Sequence, residues 1–591
     1  MNVTSIDWAI IAAFFVISLL IGLYTSKQAG SSAKEFFLSG RNMPWWLLGV
    51  SMVATTFSAD TPNLVTDIVR KNGVAGNWAW WAFLLTGMLT VFVYAKLWRR
   101  SEVTTDLEFY ELRYSGKGAA FLRAFRAIYL GVFFNVVIMA TVSLAAIKIG
   151  GVMLGLSPIQ TLLIASIVTV VYSSLGGLKG VLLTDFFQFF IAMIGSFGAA
   201  YYILDLPQIG SLDNLLTHEN VSGKLDFLPD FSNPNAYIPL FLMPIAIQWW
   251  ATWYPGAEPG GGGYIAQRML SAKDEKNAIG ATLFFNIAHY AMRPWPWILI
   301  ALSSLIIFPN ISDLQTAFPN IPVDKLGDDL AYSAMLTFLP TGLIGIVLAS
   351  LIAAVMSTLS THLNWGSSYI VNDFYLRFMK PEASDKELVA VGRISTVVLM
   401  VLSAVLALAL SSALDAFNIL LQIGAGTGLI FILRWFWWRI NAYTEISAMA
   451  ISFVVAIFFE VINPKVNWIM IPENQAYLKL IYSVSITTIG WLIVTFITAP
   501  EKDEVLLSFY RKVTPASFGW KKVLDRYPGE KQVIGQLPKE IGLMMIGSVM
   551  IYSALFSTGF FIYGNMMAGF IAATIAVVGG IIIFSSWKKL S

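Results

Sequence analysis

The sequence lacks cysteine entirely, has only three histidines and carries few charges. Without cysteine there can be no disulfide, cysteine-ligated zinc site, iron–sulfur cluster or thiol catalysis. Charged residues make up 12% of the 591 positions, about half the share typical of a soluble globular domain. The formal net charge of +3 is too small to indicate a nucleic-acid partner. These shortages exclude an ordinary soluble enzyme.

What the sequence does contain is apolar: hydrophobic residues make up 57% of the chain. They come in runs of about 20 residues, long enough to cross a hydrocarbon layer of about 30 Å. The pattern predicts an all-α polytopic membrane protein with about 15 transmembrane helices. These spans are predicted to begin near residues 8, 45, 76, 121, 157, 178, 237, 277, 330, 387, 412, 443, 477, 540 and 565.

Positive charge is distributed unevenly among the predicted loops. With the N-terminus outside, roughly thirty of the 38 Lys and Arg lie on the inner side, as the positive-inside rule requires. One of these inner loops is expected to begin at Arg268, and residues 501–539 are expected to form a solvated amphipathic cytoplasmic linker. The prediction is a multi-pass protein of the plasma or inner membrane, with the N-terminus outside and the C-terminus cytoplasmic.

Two predicted spans are interrupted by helix-breaking residues. Span 2 loses its apolar character between Thr55 and Asp67, and span 7 ends in WYPGAEPGGGGYIAQR. Backbone groups freed inside a membrane must find other partners. The two spans are separated by an odd offset of five, so they run in opposite directions. Such paired breaks are typical of a transporter's central binding site, and the alternative is an incidental kink or loop at each position.

Polar residues at membrane depth indicate where an ion would bind. Asp185 lies about two turns into span 6, and Ser357 and Thr358 lie in the inner half of span 9. A buried carboxylate costs a few kcal/mol or more, so Asp185 should face the bundle and have a partner. Together with carbonyl oxygens freed in span 2, the hydroxyls would form an all-oxygen set suited to sodium. The alternative is that they only bond to their own backbone and allow close packing.

A second polar pair lies on span 8. His289 and Arg293 are four residues apart and share one helix face. A cation buried there needs a polar or anionic partner, which could be the solute or a carboxylate such as Glu258. Because Pro294 follows, we interpret Arg293 as the anchor of a bent helix. Lys148, near the outer end of span 4, is expected to extend its charge towards water.

Four stretches carry a family resemblance. They are AKEFFLSGRNMPWW (33–46), LEFYELRY (107–114), YSSLGGLKGVLLTDFFQFF (172–190), and AAVMSTLSTHLN followed by Asn372 and Asp373. From about residue 8 to 460 the chain resembles the sodium:solute symporter family, which includes sodium/glucose and sodium/galactose cotransporters. The resemblance implies two inverted repeats of five helices, at 45–204 and 237–440. A leading helix and loop at 1–44 precede them, and additional helices at 441–591 follow.

The resemblance also implies binding residues for co-transported sodium. The shared sodium site would use the carbonyls of Ala54, Phe57 and Ala354 and the hydroxyls of Ser357 and Thr358. In some members, the carboxylate at the position of Asp185 takes part in a second sodium site.

The implied solute site matches less fully. Gln422 falls where sugar-transporting members place a glutamine that contacts the sugar. His289 stands in place of a lysine, Trp80 in place of a glutamate, and Glu258 in place of a gating tyrosine. Thr56 and Thr61, beside the break in span 2, are further candidates. The predicted solute residues are therefore Gln422, His289, Glu258, Thr56, Thr61 and Trp80.

The predicted function is sodium-coupled symport of a small polar solute by alternating access, with a sugar or sugar derivative favoured. A carboxylate-bearing solute, such as an amino acid or sugar acid, is the alternative. An intramembrane enzyme using His289, Asp185 and Glu258 is a different class. It is not expected, because the sequence shows no nucleophile motif or metal constellation. A passive channel is a further alternative. The expected partners are the solute, sodium and the lipid bilayer, and the pattern gives no oligomeric state.

Overall fold

The computed structural model describes residues 3–29, 32–56, 58–252, 259–410, 413–472 and 475–587. Within these ranges the chain is helical and contains no β-strand. Eleven of the described helices are long and apolar enough to cross a membrane. In chain order they are spans 1, 3, 4, 6, 8, 9, 10, 12, 13, 14 and 15, at Ser5–Lys27, Val74–Ser101, Gly116–Leu154, Gly177–Leu204, Glu275–Ile307, Leu343–Met379, Asp385–Ala409, Ala442–Val466, Leu478–Ile497, Gln536–Ile562 and Met566–Ser586.

Four further spans are short or broken, which brings the total to the predicted count of about fifteen. They are span 2 (Trp45–Thr56 and Asp60–Asn72), span 5 (Pro158–Val171), span 7 (234–251 and Gly263–Ser271) and span 11 (Ala413–Gly424 and Gly428–Leu433). Short helices outside the spans include Ala33–Leu38, Phe109–Arg113, Leu212–Thr217, Ile311–Ala317, Leu330–Leu336 and Asp503–Val513.

The start of span 9 differs from the prediction. Leu330–Leu336 is a separate short helix, and the span itself begins at Leu343. Pro340 has no backbone N–H to donate, and Gly342 has a φ of +85°, a left-handed value that ends helical geometry. These two residues separate the short helix from the span.

The break in span 7 follows from its glycines. The φ angles of Gly260 and Gly261 are +83° and +80°, values that strain residues with a side chain. A Cβ on Gly260 would also lie 3.1 Å from the Tyr94 ring. The glycines therefore let the chain turn tightly against span 3 before the helix resumes at Gly263.

The first half of span 2 lies at the centre of the bundle. It packs against spans 6, 8 and 9, and its residues from Leu47 to Thr55 are all buried. Span 9 is buried along nearly its whole length. The broken end of span 2 is thus enclosed by helices, where unpaired backbone groups must be satisfied by protein or ligand.

The segment 501–539 differs from the expected solvated linker. Its helix Asp503–Val513 buries an apolar face, and Phe509 and Trp520 are fully covered. The Trp520 indole N–H donates to the Trp435 carbonyl at 3.0 Å. The Arg113 guanidinium lies 5.0 Å from the Trp520 ring and 5.4 Å from the Phe509 ring. The amphipathic pattern therefore reflects docking onto the end of the bundle.

The Trp520→Phe substitution tests this docking. We expect it to lower stability by about 1–3 kcal/mol, because it removes the bond to Trp435 and leaves a partly empty site. Phe518 lies two residues away and is 89% exposed, so Phe518→Leu is the matched control and should change little. The measurement is the fraction of detergent-purified protein that stays monodisperse after heating. Equal loss in the two variants would contradict the docking.

Candidate functional site

Spans 2 and 9 meet where the first half of span 2 ends. The Thr358 hydroxyl donates to the Thr55 carbonyl oxygen at 2.7 Å, and the Thr55 and Thr361 hydroxyl oxygens lie 3.1 Å apart. Carbonyls in the last turn of a helix have no partner within that helix. The structure thus brings oxygen atoms from two distant parts of the chain to one buried point.

Asp185 reaches this cluster from span 6. Ser357 donates to its Oδ1 at 2.5 Å, and Ser51 donates to its Oδ2 at 2.5 Å. The carboxylate and both serines are buried. Asp185 and Ser357 are therefore in direct contact, and Ser51 is an additional member that the sequence did not indicate.

Two other predicted sodium ligands lie next to the same point. Ala54 is in the last turn of the first half of span 2, and Ala354 is one turn before Thr358 on span 9; both are buried. Phe57 lies outside the described residues.

Arg268 corrects the predicted inner loop. It lies in the helix Gly263–Ser271 and is fully buried, with one guanidinium nitrogen 3.9 Å from Asp185 Oδ2. It also donates to the Ser51 hydroxyl at 3.2 Å and the Thr361 hydroxyl at 2.9 Å. The reason for the difference is that YIAQRMLS reads as a polar loop, although it is the second half of a broken span. Its positive charge compensates the buried carboxylate.

A cavity of about 140 Å³ adjoins this cluster. Because roughly 10–15 Å³ of such space holds one water molecule, the cavity has room for a solute of roughly ten non-hydrogen atoms. Two of the cluster residues, Thr55 and Thr358, form part of its wall. Four of the predicted solute residues also line it: Thr56, Thr61, Trp80 and His289.

Arg293 fixes the orientation of His289. Arg293 donates to the carbonyls of Val53 at 3.2 Å and Thr56 at 3.0 Å, and one of its nitrogens contacts His289 Nδ1. A guanidinium can only donate, so Nδ1 accepts and the ring proton is on Nε2. Arg293 thus anchors the C-terminal end of a half-helix, where positive charge is favourable, and the imidazole keeps one N–H for a ligand.

Thr56 and Thr61 give the cavity polar surface, and Trp80 gives it an aromatic one. Thr56 donates its hydroxyl proton to the Met52 carbonyl at 2.9 Å, and Thr61 donates to the Thr56 carbonyl at 3.2 Å. Their oxygen atoms therefore remain available as acceptors. The Trp80 indole N–H donates to Asn77 at 2.8 Å, so the indole presents its ring rather than its N–H to the cavity.

One predicted solute residue, Gln422, is not among the described residues that line the cavity. Gln422 donates to the Ser483 hydroxyl at 2.6 Å, and Phe417, five residues earlier on span 11, lines the cavity instead. Glu258 lies outside the described residues. In contrast, Asp60 and His362 line the cavity and were not among the predicted solute residues.

Buried polar contacts join the two halves of the bundle at both ends. At the predicted outer end, Arg70 pairs with Asp328 at 2.8 Å and Lys148 pairs with Asp329 at 2.6 Å. Lys148 is buried and does not extend towards water as expected, because its charge has this partner. At the other end, Asp106 accepts from the Gly263 N–H at 2.9 Å. The central cavity lies between these two sets of contacts.

The comparisons with known proteins agree with this geometry. The family model described as the sodium:solute symporter family matches residues 36–452, well over half of the chain. The chain belongs to the sodium:solute symporter family. The resemblance found in the sequence is thereby confirmed.

The symporter's curated relatives cover most of its length. It is 27% identical over 479 residues to the sodium/glucose cotransporter of Vibrio parahaemolyticus, an alignment covering 77% of this chain and 85% of the relative. It is 26% identical over 556 residues to the human sodium/myo-inositol cotransporter 2, covering 84% of this chain and 78% of the relative.

A solved structure confirms the fold. The symporter superimposes on the substrate-bound outward-open state of a Na+-coupled sialic acid symporter with a TM-score of 0.65 at 19% identity. The match covers 85% of this chain and 100% of the other. The predicted five-plus-five inverted-repeat transporter fold is confirmed. The symporter is a multi-pass membrane protein that couples sodium to the transport of a small solute.

Proposed function

We propose that this symporter imports a neutral, polyhydroxylated solute, a sugar or sugar derivative, and releases it chemically unchanged. The observation that carries the proposal is a cavity of about 140 Å³ whose wall is shared with the Asp185–Ser357–Thr358 oxygen cluster. The hydroxyl oxygens of Thr56 and Thr61 can accept hydrogen bonds from sugar hydroxyls, and the Trp80 ring can pack against the C–H surface of a sugar. The names of the curated relatives, glucose and myo-inositol cotransporters, support this solute class.

A carboxylate-bearing solute fits the cavity less well. Arg293, which contacts the lining residue His289, already donates to two backbone carbonyls. Asp60 lines the same cavity, and its carboxyl group, when ionised, would repel an anionic solute. Asp60 accepts hydrogen bonds from hydroxyl groups without that cost. We therefore favour the neutral solute over the amino acid or sugar acid.

The proposed coupling of sodium to solute transport follows because the oxygen cluster and the solute cavity share Thr55 and Thr358. Sodium would bind through the predicted set, the carbonyls of Ala54, Phe57 and Ala354 and the hydroxyls of Ser357 and Thr358. A second ion at Asp185 would compete with Arg268 for the carboxylate. One charge crossing 100 mV gains about 2.3 kcal/mol, which corresponds to roughly 50-fold accumulation. Two ions would square that figure.

The arrangement of the chain in the membrane completes the proposal. The repeats are 45–204 and 237–440, with the N-terminus outside, as the distribution of Lys and Arg indicates. One repeat moves against the other to expose the cavity alternately to each side. Gln422 and Glu258 stay predictions from the sequence.

Uptake into proteoliposomes tests the solute class. With an inward sodium gradient, we expect uptake of labelled glucose or myo-inositol that stops when choline replaces sodium, and recovery of the solute intact. Trp80→Ala should raise the solute concentration for half-maximal uptake about tenfold, because it removes a ring from the cavity. Trp468, which is 76% exposed, gives the matched control Trp468→Ala. Sodium-driven uptake of a sugar acid or amino acid, with none of a neutral sugar, would contradict the proposal.

A further inference from the structure

A second, smaller cavity lies beside the central one, between spans 3 and 8. Its volume is about 20 Å³, enough for roughly one water molecule or one dehydrated ion. Phe285 and Tyr290 line both cavities. We call the smaller one the side cavity. Besides Tyr290, its polar lining contains two facing pairs of oxygen-bearing side chains, Thr86 and Thr90 on span 3 and Thr282 and Asn286 on span 8.

The spacing within each pair explains this arrangement. Thr86 and Thr90 are four residues apart, as are Thr282 and Asn286, so each pair lies on one face of its helix. Gly87 lies where the two helices approach each other. A Cβ on Gly87 would be 1.8 Å from Asn286 Oδ1. A residue with a side chain at this position would therefore displace the amide.

The three hydroxyl protons and one N–H of the Asn286 amide are already donated to backbone carbonyls. The Thr86 hydroxyl donates to the Trp249 carbonyl at 2.5 Å, and the Thr90 hydroxyl donates to the Thr86 carbonyl at 2.9 Å. The Thr282 hydroxyl donates to the carbonyl one turn before it at 3.0 Å. The Asn286 amide nitrogen donates to the Thr282 carbonyl at 2.8 Å. Apart from the second amide N–H of Asn286, what these side chains leave for a ligand is a set of oxygen acceptors.

Asn286 Oδ1 is the least satisfied of these atoms. Asn286 is 2% exposed, and its Oδ1 has no hydrogen-bond partner among the described residues. An unsatisfied buried acceptor costs about 1–3 kcal/mol. Turning the amide over would place two oxygens against each other at Thr282, so the bond from the amide nitrogen fixes Oδ1 as the free atom.

We propose that the side cavity is an additional sodium site, in which Asn286 Oδ1 and the hydroxyl oxygens of Thr86, Thr90 and Thr282 bind one ion. An all-oxygen acceptor set is what a hard cation requires. The inference rests on sodium being the co-transported ion and is separate from the cluster at Asp185. An ion here would contact the layer formed by Phe285 and Tyr290, and so its binding would be linked to the shape of the solute cavity.

Substitutions at Asn286 distinguish a bound ion from a bound water molecule, which the same oxygen acceptors would also hold. In the purified full-length protein, we measure the sodium concentration that gives half-maximal thermal stabilisation, with choline keeping ionic strength constant. Asn286→Asp adds a negative charge beside the ion and should lower that concentration about tenfold. Asn286→Leu removes the oxygen and should raise it about tenfold. A bound water predicts no change in the sodium dependence of either variant.

Two further variants keep the test decisive if the charged variant does not fold. Thr282→Val is nearly isosteric, loses one oxygen and should raise the half-maximal sodium concentration at least threefold. Thr487→Val changes a buried threonine on span 13 and should leave the half-maximal sodium concentration unchanged. Sodium dependence equal to that of the unsubstituted protein in both Asn286→Leu and Thr282→Val would overturn the side cavity as a sodium site. If Ser357→Ala still shifts the dependence in that case, sodium symport itself stands.

Discussion

Replacing Arg268 with methionine is expected to abolish sodium-driven uptake and to lower stability by about 3–5 kcal/mol. The methionine keeps much of the apolar volume of the side chain but leaves the Asp185 carboxylate buried without its nearest cation. Removing one partner of a buried pair is costly because an uncompensated charge stays behind. The measurements are proteoliposome uptake and the fraction of protein that stays monodisperse after heating.

The double variant Arg268→Met with Asp185→Asn shows whether charge is the cause. Removing both charges should restore most of the stability but not the sodium affinity. Arg377 pairs with Glu111 at 2.9 Å, but its side chain is 48% exposed. Arg377→Met is therefore the matched control and should cost less than about 1 kcal/mol. A double variant no more stable than Arg268→Met alone would argue against the pairing.

Substitutions at Asp185 and Ser357 are expected to weaken sodium binding strongly. Asp185→Asn preserves the shape of the side chain and removes its charge, and Ser357→Ala removes one oxygen. A contact to a charged group contributes about 1.5–3 kcal/mol, which corresponds to a roughly tenfold to hundredfold rise in the sodium concentration for half-maximal uptake. Ser357→Ala should fall at the lower end, because a neutral oxygen contributes less than a charge.

The matched control for these variants is Ser548→Ala. Ser548 is buried on span 14 and donates only to the carbonyl one turn before it. Its removal should leave sodium dependence as it was. At saturating sodium, the two site variants should regain most of their solute affinity. Unchanged sodium dependence in both would show that the oxygen cluster does not bind the ion.

Much of the bundle and part of its site follow from chemistry that is visible in the sequence. Apolar runs locate the spans, and the helix breakers locate the interrupted ones, because neither signal depends on distant contacts. The meeting of Thr55 with Thr358 follows from the same logic, since oxygens inside a membrane must be satisfied by other polar groups. Asp185 was predictable because a lone carboxylate at that depth needs a partner.

The residues that sequence reasoning missed depend on contacts between distant segments. Arg268 lies in a nine-residue half-helix, too short to register as a span by hydropathy. Ser51 sits in an apolar run, where a serine ordinarily bonds to its own helix. The partner of Lys148 is Asp329, 181 positions further along the chain. The local sequence does not indicate such pairs.

The orientation of the Gln422 side chain likewise depends on contacts between distant segments. Its helix ends at Gly424, and Gly426 has a φ of +83°, so the orientation of the side chain depends on how this end is packed. In the structure it donates to Ser483 on span 13. The family position alone could not give that partner.

The docked segment 501–539 has a consequence for exchanging parts between related symporters. The family match ends at residue 452, yet the rings that flank Arg113 come from Phe509 and Trp520, beyond that boundary. A chimera joined directly after span 13, before Phe509, would pair one protein's arginine with another's aromatic surface. Residues 107–114 and 501–539 should therefore be transplanted together, as a single matched unit.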